Sequence, residues 1–385
     1  MALHFEPSEF SDRMQRTLIA MAEAKLDGLL IFSQESMYWL TGYDTFGFCF
    51  FQCLVLRSDG QMALLTRTAD LRQAQLTSII KDIRVWTDGA DAQPAVELAD
   101  LVQNLGLMNK RLGIETATQG LTYANGRAVH EALDGNATLV DAPELIGTLR
   151  RVKSDAEIAY VRKASELCDA SWEAALATIK PGAYEGDVLA AMHSAIFKGG
   201  GDYPGNEFII GSGDHALLCR YQSGRRTLGN PDQITLEWAG TYRHYHVAGM
   251  RTVCVGAASD RHRSMHQAAL DALLACEEEM VPGRTFGDVF AAHAETFAKA
   301  GLTDHRLAAC GYSLGARFTP CWMDWPMFYE DNPAVIEPNM VLFAHMILAD
   351  SDTGTAMTLG RTSLTTATGS VPLSEAALEI VVKDQ

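Results

Sequence analysis

The sequence predicts two domains, an α/β domain over residues 1–147 and an α+β domain over residues 148–385, and three observations carry that expectation. A chain of 385 residues is long enough for two or three separate hydrophobic cores. Strand-like runs alternate with helical periodicity through the first 140 or so residues, the pattern of an α/β domain. Near residue 148 the texture changes to long amphipathic helical stretches, followed by apolar strand-like runs.

In order, residues 7–30 read as a helix that Ser11 can cap, with apolar positions at helical spacing before Gly28. LLIFS (29–33), FQCLVLRSDGQMALLT (51–66) and IIKDIRVWT (79–87) read as strands, the middle run folded at a Ser-Asp-Gly turn. RLGIET (111–116) and ATLVDA (137–142) read as two more, with a helix around VHEALDG between them. LRRVKSDAEIAYVRKASELCDASWEAALATI then gives a long amphipathic helix ending before Pro181 and Gly182. A second helix, EGDVLAAMHSAIFK, stops at Gly199, Gly200 and Gly201. NEFIIGSG, ITLEWAG and MRTVCVG follow as strands, then two helices across 260–300, and VLFAHMILAD and TAMTLGRTSLTT close the domain.

Composition narrows the function classes. A 48% hydrophobic and 21% charged chain suits an ordinary soluble enzyme, and no run of eighteen apolar residues predicts a membrane span. The start has no basic segment leading into an apolar one, so the expected location is the cytoplasm. A net charge of −17 argues against nucleic acid as a partner, because phosphates demand a basic face. The eight cysteines form no C-x-x-C pair and read as buried reduced thiols; the eleven histidines form no H-E-x-x-H pattern.

One motif asks for a decision. G-Y-S-L-G at 311–315 matches the G-x-S-x-G nucleophile elbow, and Asp324 and His345 follow in triad order. A true elbow needs a helix after the serine. The residues after Ser313, LGARFTPCWMDWP, hold two prolines and three large aromatics and are poor helix material, so Ser313 is not expected to be a nucleophile.

Several segments together are similar to the creatinase, prolidase and aminopeptidase P superfamily. They are LRRVKSDAEIAYVRKA (149–164), IIGSG (209–213), the strand pair of 234–252 ending in Met-Arg-Thr, and EPNMVLF (337–343). The resemblance implies a pita-bread C-terminal domain behind the α/β domain. It also implies a homodimer, since in this family the first domain of one subunit often lies over its partner's site. The metallopeptidases of the superfamily hold two metals with two Asp, one His and two Glu. Carried over, these positions fall on Glu237, Ala248, Tyr312, His345 and a residue near Gly360, and a substrate-binding histidine falls on Arg220. Alanine and glycine cannot ligate, so no catalytic metal and no other cofactor is expected.

Within the superfamily the chain resembles the metal-free ectoine hydrolases most. LEWAGTYRHYHVAGMRT (236–252), GYSLGARFTPCWMD (311–324) and LTGYDTFGFCFFQ (40–52) carry that likeness, with Ser313, Ala316 and Asp324 as departures. The resemblance implies hydrolysis of a C–N bond in a small zwitterion; a creatinase-like or other amide or guanidino hydrolase, an Xaa-Pro peptidase-like metalloenzyme, and a binding module without activity are the other readings.

Glu237, alone in an apolar strand, is expected either to pair with Arg251 or to act as general base on water. Its place at a former metal position favours the base. His244 and His246 alternate with Tyr245 and are expected on one face of a strand, with His246 preferred as proton shuttle. His345 is a further catalytic candidate. Arg220 is expected to hold a substrate carboxylate, with Arg251 nearer the sheet. Tyr43, Phe46 and Phe48, the last two on one face of a strand with Phe50, are expected to cover a planar cation, and Tyr312, Trp322 and Asp324 to complete the pocket.

Overall fold

The computed structural model describes residues 3–221 and 225–384 and resolves the chain into two compact units, Met1–Arg150 and Arg151–Gln385. In the first unit, strands β1 (Gly28–Ile31), β2 (Cys53–Arg57), β3 (Met62–Arg67), β4 (Asp82–Trp86), β5 (Arg111–Ile114) and β6 (Thr138–Asp141) form one mixed sheet in the order β4-β3-β2-β1-β5-β6. The β1–β2 and β2–β3 pairs are antiparallel, and the remainder are parallel.

Both faces of this sheet are covered, which is why its strands read as apolar runs rather than alternating ones. Leu29 and Ile31 point to a core shared with α1 (Pro7–Glu23), α2 (Gln34–Thr41), α3 (Leu71–Thr77) and α6 (Leu145–Arg150). Leu30 and Phe32 point to a second core under α4 (Pro94–Asn104) and α5 (Tyr123–Leu133). Ser11 does not cap α1: the helix begins four residues earlier at Pro7, and the Ser11 hydroxyl donates to the Pro7 carbonyl inside it. The expected strand carrying Phe46, Phe48 and Phe50 is instead a short 3-10 turn, Gly47–Cys49, because Phe46 and Phe50 flank a tight turn that breaks period two.

The second unit is built on nine strands. They are β7 (Ile209–Ser212), β8 (Asp232–Tyr242), β9 (Tyr245–Val255), β10 (Ala309–Leu314), β11 (Asp324–Tyr329), β12 (Val341–Asp350), β13 (Thr355–Thr365), β14 (Ser370–Pro372) and β15 (Val381–Lys383). The path runs β11-β10-β12-β13-β9-β8-β7, with β14 on β13 and β15 on β9. Helices α7 (Asp155–Thr178), α8 (Glu185–Lys198), α9 (Asp260–Glu279) and α10 (Phe286–Lys299) accompany it. The long helical stretch of the sequence is divided at Ser154, whose side chain starts α7 in a capping box with Glu157.

Period two sorts the sheet residues onto two faces. Leu342, Ala344, Met346, Leu348, Met357 and Leu359 enter the core with α9 and α10. Trp238 stacks on Trp172 of α7 at 5.3 Å. The opposite face carries the residues at issue for function. Among the described residues no helix is long and apolar enough to cross a membrane.

Helix α7 lies directly on β8 at Gly240, where a Cβ would come within 2.0 Å of the Ala164 carbonyl oxygen and 2.3 Å of the Cys168 nitrogen. Backbone cannot yield as a flexible side chain can. Gly240→Ala should therefore destabilise the second unit by about 3 kcal/mol, at the upper end for overpacking. A urea denaturation followed through the Trp172–Trp238 pair checks it.

Candidate active site

The sheet register gathers one set of side chains. Glu237 pairs with Met250, Met250 with Gly360, and Gly360 with His345. Phe343, two residues before His345, pairs with Tyr312. Glu237, Ala248, Tyr312, His345 and Gly360 thus share the sheet face turned away from the α9–α10 core.

A cavity of about 160 Å³ opens on this face, lined by Glu237, Arg220, Tyr312 and Trp322, together with Asn206, Glu207, Ile209, Pro320, Cys321 and Met323. Tyr312 donates its hydroxyl to Glu237 Oε1 at 3.0 Å, and Trp322 Nε1–H donates to the same Tyr312 oxygen at 2.9 Å. Glu237 Oε2 has no hydrogen-bond partner among the described residues. Burial pushes the Glu237 carboxyl up to about 7, against the lowering effects of the Tyr312 hydrogen bond and the Arg220 charge.

Arg220 is exposed at the cavity; its guanidinium donates to the neighbouring Cys219 carbonyl at 3.2 Å and forms no ion pair among the described residues. Its loop is anchored from beneath. The buried Glu185 accepts from Ser212 N on one side of the loop and from Arg225 N and Arg226 N on the other. His345 lies against Tyr312 and Phe343, ring centroids 5.6 and 5.5 Å away, and its Nδ1 is buried without a partner among the described residues. Burial drives the imidazole down to about 4, so it is neutral at pH 7.

Other expected residues are placed differently. His246 is buried with Nδ1 against the Gly315 carbonyl at 3.3 Å and Nε2 accepting from Gly205 N at 2.8 Å. Both ring nitrogens are engaged with backbone, and burial lowers the ring to about 3, which removes it from the shuttle role. His244 is not in a strand: Arg243 and His244, at φ 51° and 65°, form the two-residue hairpin turn, and His244 stacks on Phe318 at 4.2 Å. Arg251 lies opposite Leu236 in the ladder and so faces the helices, donating to the Met250 and Gly360 carbonyls rather than to Glu237 or a substrate. Asp324 forms an ion pair with Arg317 at 3.6 Å and does not line the cavity.

Tyr43, Phe46 and Phe48 belong to the first unit. Tyr43 is a core residue whose hydroxyl reaches Gln52 and Thr66, and burial lifts it to about 12. Phe48 is buried, whereas Phe46 is 78% exposed and Phe50 lies under the Arg67 guanidinium at 4.1 Å, so the three do not form one aromatic face. Ser313 sits mid-strand in β10 on the face opposite Tyr312 and His345, and its buried hydroxyl has no partner. That excludes a Ser313–His345 pair. Glu207, Asn206 and Cys321 escaped the sequence reading; the only signal for Glu207 was a charge abutting the apolar run FIIG.

The donor set does not suit a pair of metal ions. Among the described residues no three His, Cys, Asp or Glu side chains cluster where a metal could be held. A side chain at position 360 would meet Phe343 Cζ at 2.8 Å and Met250 Cβ at 3.0 Å, so the Phe343 ring fills the space a ligand there would need.

Glu237 makes a signed prediction. Its folded value, about 7, lies above the unfolded 4.5, so the folded state holds the proton longer and stability falls as pH rises between those values. Relative to Glu237→Gln, wild type should lose about 3 kcal/mol between pH 4 and pH 8. Paired denaturation curves of the two proteins across that range measure it.

Comparison with known proteins follows the same lines. Residues 159–366 match the model of metallopeptidase family M24, and residues 13–152 that of the creatinase/prolidase N-terminal domain. An uncharacterized hydrolase/peptidase of Sinorhizobium fredii is 26% identical over 397 residues, 99% of each chain. Ectoine hydrolase of Halomonas elongata is 24% identical over 400 residues, 100% of this chain and 99% of that one. The solved Xaa-Pro dipeptidase from Bacillus anthracis superposes with a TM-score of 0.84 at 22% identity, covering 97% of this chain and 99% of its own, a likeness of fold. The chain belongs to metallopeptidase family M24, as a hydrolase that carries a creatinase/prolidase N-terminal domain on a pita-bread catalytic domain.

Proposed function

We propose that this protein hydrolyses a C–N bond of a small zwitterionic nitrogen compound without a metal, with ring opening of ectoine to N-acetyl-diaminobutyrate as the favoured reaction. One observation carries the reading. Three of the other buried glutamates have both carboxyl oxygens engaged: Glu115 by Phe32 N, Ser33 N and Ser36 Oγ; Glu185 by three backbone N–H groups; Glu157 by Tyr245 and Ser154 N. Glu237 alone among these four leaves an oxygen free, and it lines the cavity.

The chemistry follows from the charges. Arg220 takes the substrate carboxylate, and the amidinium lies against Trp322 beside Glu237. Ionised Glu237 removes a proton from water as the oxygen attacks the amidine carbon and the C=N electron pair moves to nitrogen. A carboxyl near 7 suits that task, since it is substantially ionised at neutral pH yet basic enough to take the proton. Of the two buried candidate histidines, only His345 retains an unpartnered ring nitrogen for moving a proton. The similarity to ectoine hydrolase supports the substrate class, and the poor metal donor set supports the absence of a metal.

Chelator-treated protein should open ectoine, seen by NMR and amine release, while hydroxyectoine and creatine serve as comparison substrates. Glu237→Gln should lower kcat by about 10³-fold, and Arg220→Ala should raise KM by at least about tenfold. Dependence on added Mn²⁺, or cleavage of Xaa-Pro dipeptides in preference to ectoine, overturns the reading.

A further inference from the structure

The relay behind Glu237 goes beyond orientation. Trp322 Nε1–H is a donor with no acceptor capacity, so the Tyr312 oxygen it meets at 2.9 Å must accept. The single Tyr312 proton is then free to point along the 3.0 Å contact to Glu237 Oε1, and the carboxyl oxygen accepts it. The Trp322 bond has one possible direction, and so has the Tyr312 bond when Glu237 is ionised and can only accept. Tyr312 and Trp322 are buried, so water does not compete for the relay. While Tyr312 donates to Oε1, a proton on Glu237 resides on Oε2, which has no hydrogen-bond partner among the described residues and belongs to a side chain that lines the cavity.

We propose that Tyr312 and Trp322 are positioning residues that reserve Glu237 Oε2 as the one working oxygen, so that Glu237 serves in turn as base to water and as acid to the leaving nitrogen. This rests on the reading of the site as a C–N hydrolase and assigns the proton step within it. In the first half, water gives a proton to Oε2, the C–O bond forms, and the amidinium becomes a neutral tetrahedral carbon bearing two nitrogens. In the second, Oε2 returns its proton to the departing nitrogen and the C–N bond breaks with its electron pair going to that nitrogen. The hydroxyl on carbon becomes the amide carbonyl, and its proton passes to the released amine, which leaves as ammonium. Glu237 ends ionised, as it began. Atoms and charge balance without an imidazole, so the step does not require the free nitrogen of His345, and His246 has both nitrogens bound to backbone.

The charged and titratable groups around Glu237 are Arg220 and Cys219 from the loop after β7, Tyr312 from β10, Cys321 from the loop after it, His345 from β12 and Glu207 at the cavity edge. Arg220 and the Tyr312 hydrogen bond favour the ionised carboxylate, and only the latter is removed by Tyr312→Phe.

The test follows the carboxyl stretch of Glu237 by isotope-edited infrared titration of the full chain, alongside the pH profile of kcat/KM. Tyr312→Phe should raise the midpoint of Glu237 by about one unit, and move the acid limb of the profile with it. Trp322→Phe should broaden the band and lower kcat more than it changes KM, because the Tyr312 hydroxyl regains its freedom to rotate. Fluorotyrosine placed at position 312 is nearly isosteric, is a stronger donor and should lower the midpoint, which keeps the test sound if the phenylalanine variant folds poorly. A Glu237 midpoint indifferent to both changes at Tyr312 overturns the relay. If the midpoint moves as expected while no C–N substrate is consumed, the relay stands and the assigned reaction falls.

Discussion

The hydrogen bond from Tyr312 to Glu237 is the contact on which the rest of the site depends. A carboxylate moved from water into the middle of a sheet loses several kcal/mol of solvation. A charge-assisted hydrogen bond returns about 1.5–3 kcal/mol. One such bond leaves a shortfall, and the shortfall is visible as the rise of Glu237 from 4.5 to about 7, roughly 3 kcal/mol. Glu185 shows the contrast: it is just as buried, but three backbone donors satisfy it and leave no oxygen for chemistry. A fold can silence a buried carboxylate by completing its hydrogen bonds. Here it stops at one.

The residues at the positions where the family resemblance implies metal ligands are packed against one another. Ala248 presents a methyl group, Gly360 presents none, and Tyr312 spends its hydroxyl on Glu237. Phe343 then occupies the space in front of Gly360, with Met250 closing its other side. Returning a carboxylate to position 360 would require Phe343 to leave, and that would expose the ring packed on Tyr312 and His345. Each substitution is thus packed against the next. A single reversion would make a clash, not a ligand.

How much of this was legible in the sequence differs by element. The first-unit strands were readable because apolar runs bounded by turn residues have few other fates, and the Ser-Asp-Gly turn between β2 and β3 lies where the sequence puts it. The shared face of Glu237, Tyr312 and His345 was implied by resemblance, and strand parity and register account for it. His244 was misplaced because Arg243 and His244 take positive φ without the glycine or asparagine that usually marks such a turn. That turn fixes the register of β8 on β9, and the register turns Arg251 to the helices, where it holds sheet carbonyls as one of its two expected roles had it, rather than Glu237. Phe46, Phe48 and Phe50 alternate as a strand would, but three residues of 3-10 geometry erase the period. Glu207 and Cys321 lie in segments between strands, where spacing alone carries no information about which way a side chain turns.

The ionisation of the site is what joins the parts into a working whole. At neutral pH His246 and His345 are uncharged, since burial holds them at about 3 and about 4, and among the described residues Arg220 is the sole Lys or Arg lining the cavity. Without substrate, Glu237 at about 7 is divided between its two forms. In the proposed reaction an amidinium entering beside it adds a second positive charge, and a nearby opposite charge favours the ionised carboxylate. The substrate's carboxylate meanwhile engages Arg220 and weakens the influence that cation had on Glu237. Binding of a zwitterion in this way exchanges the exposed Arg220 cation for one in contact with the base. The cationic head converts Glu237 to the form that attacks, at the moment water must be activated. As the amidine carbon becomes tetrahedral that positive charge disappears, Glu237 regains its preference for the proton, and the return to the leaving nitrogen starts from the same oxygen. On this account the carboxyl needs no second titrating partner, because the substrate's own change of charge drives it in each direction.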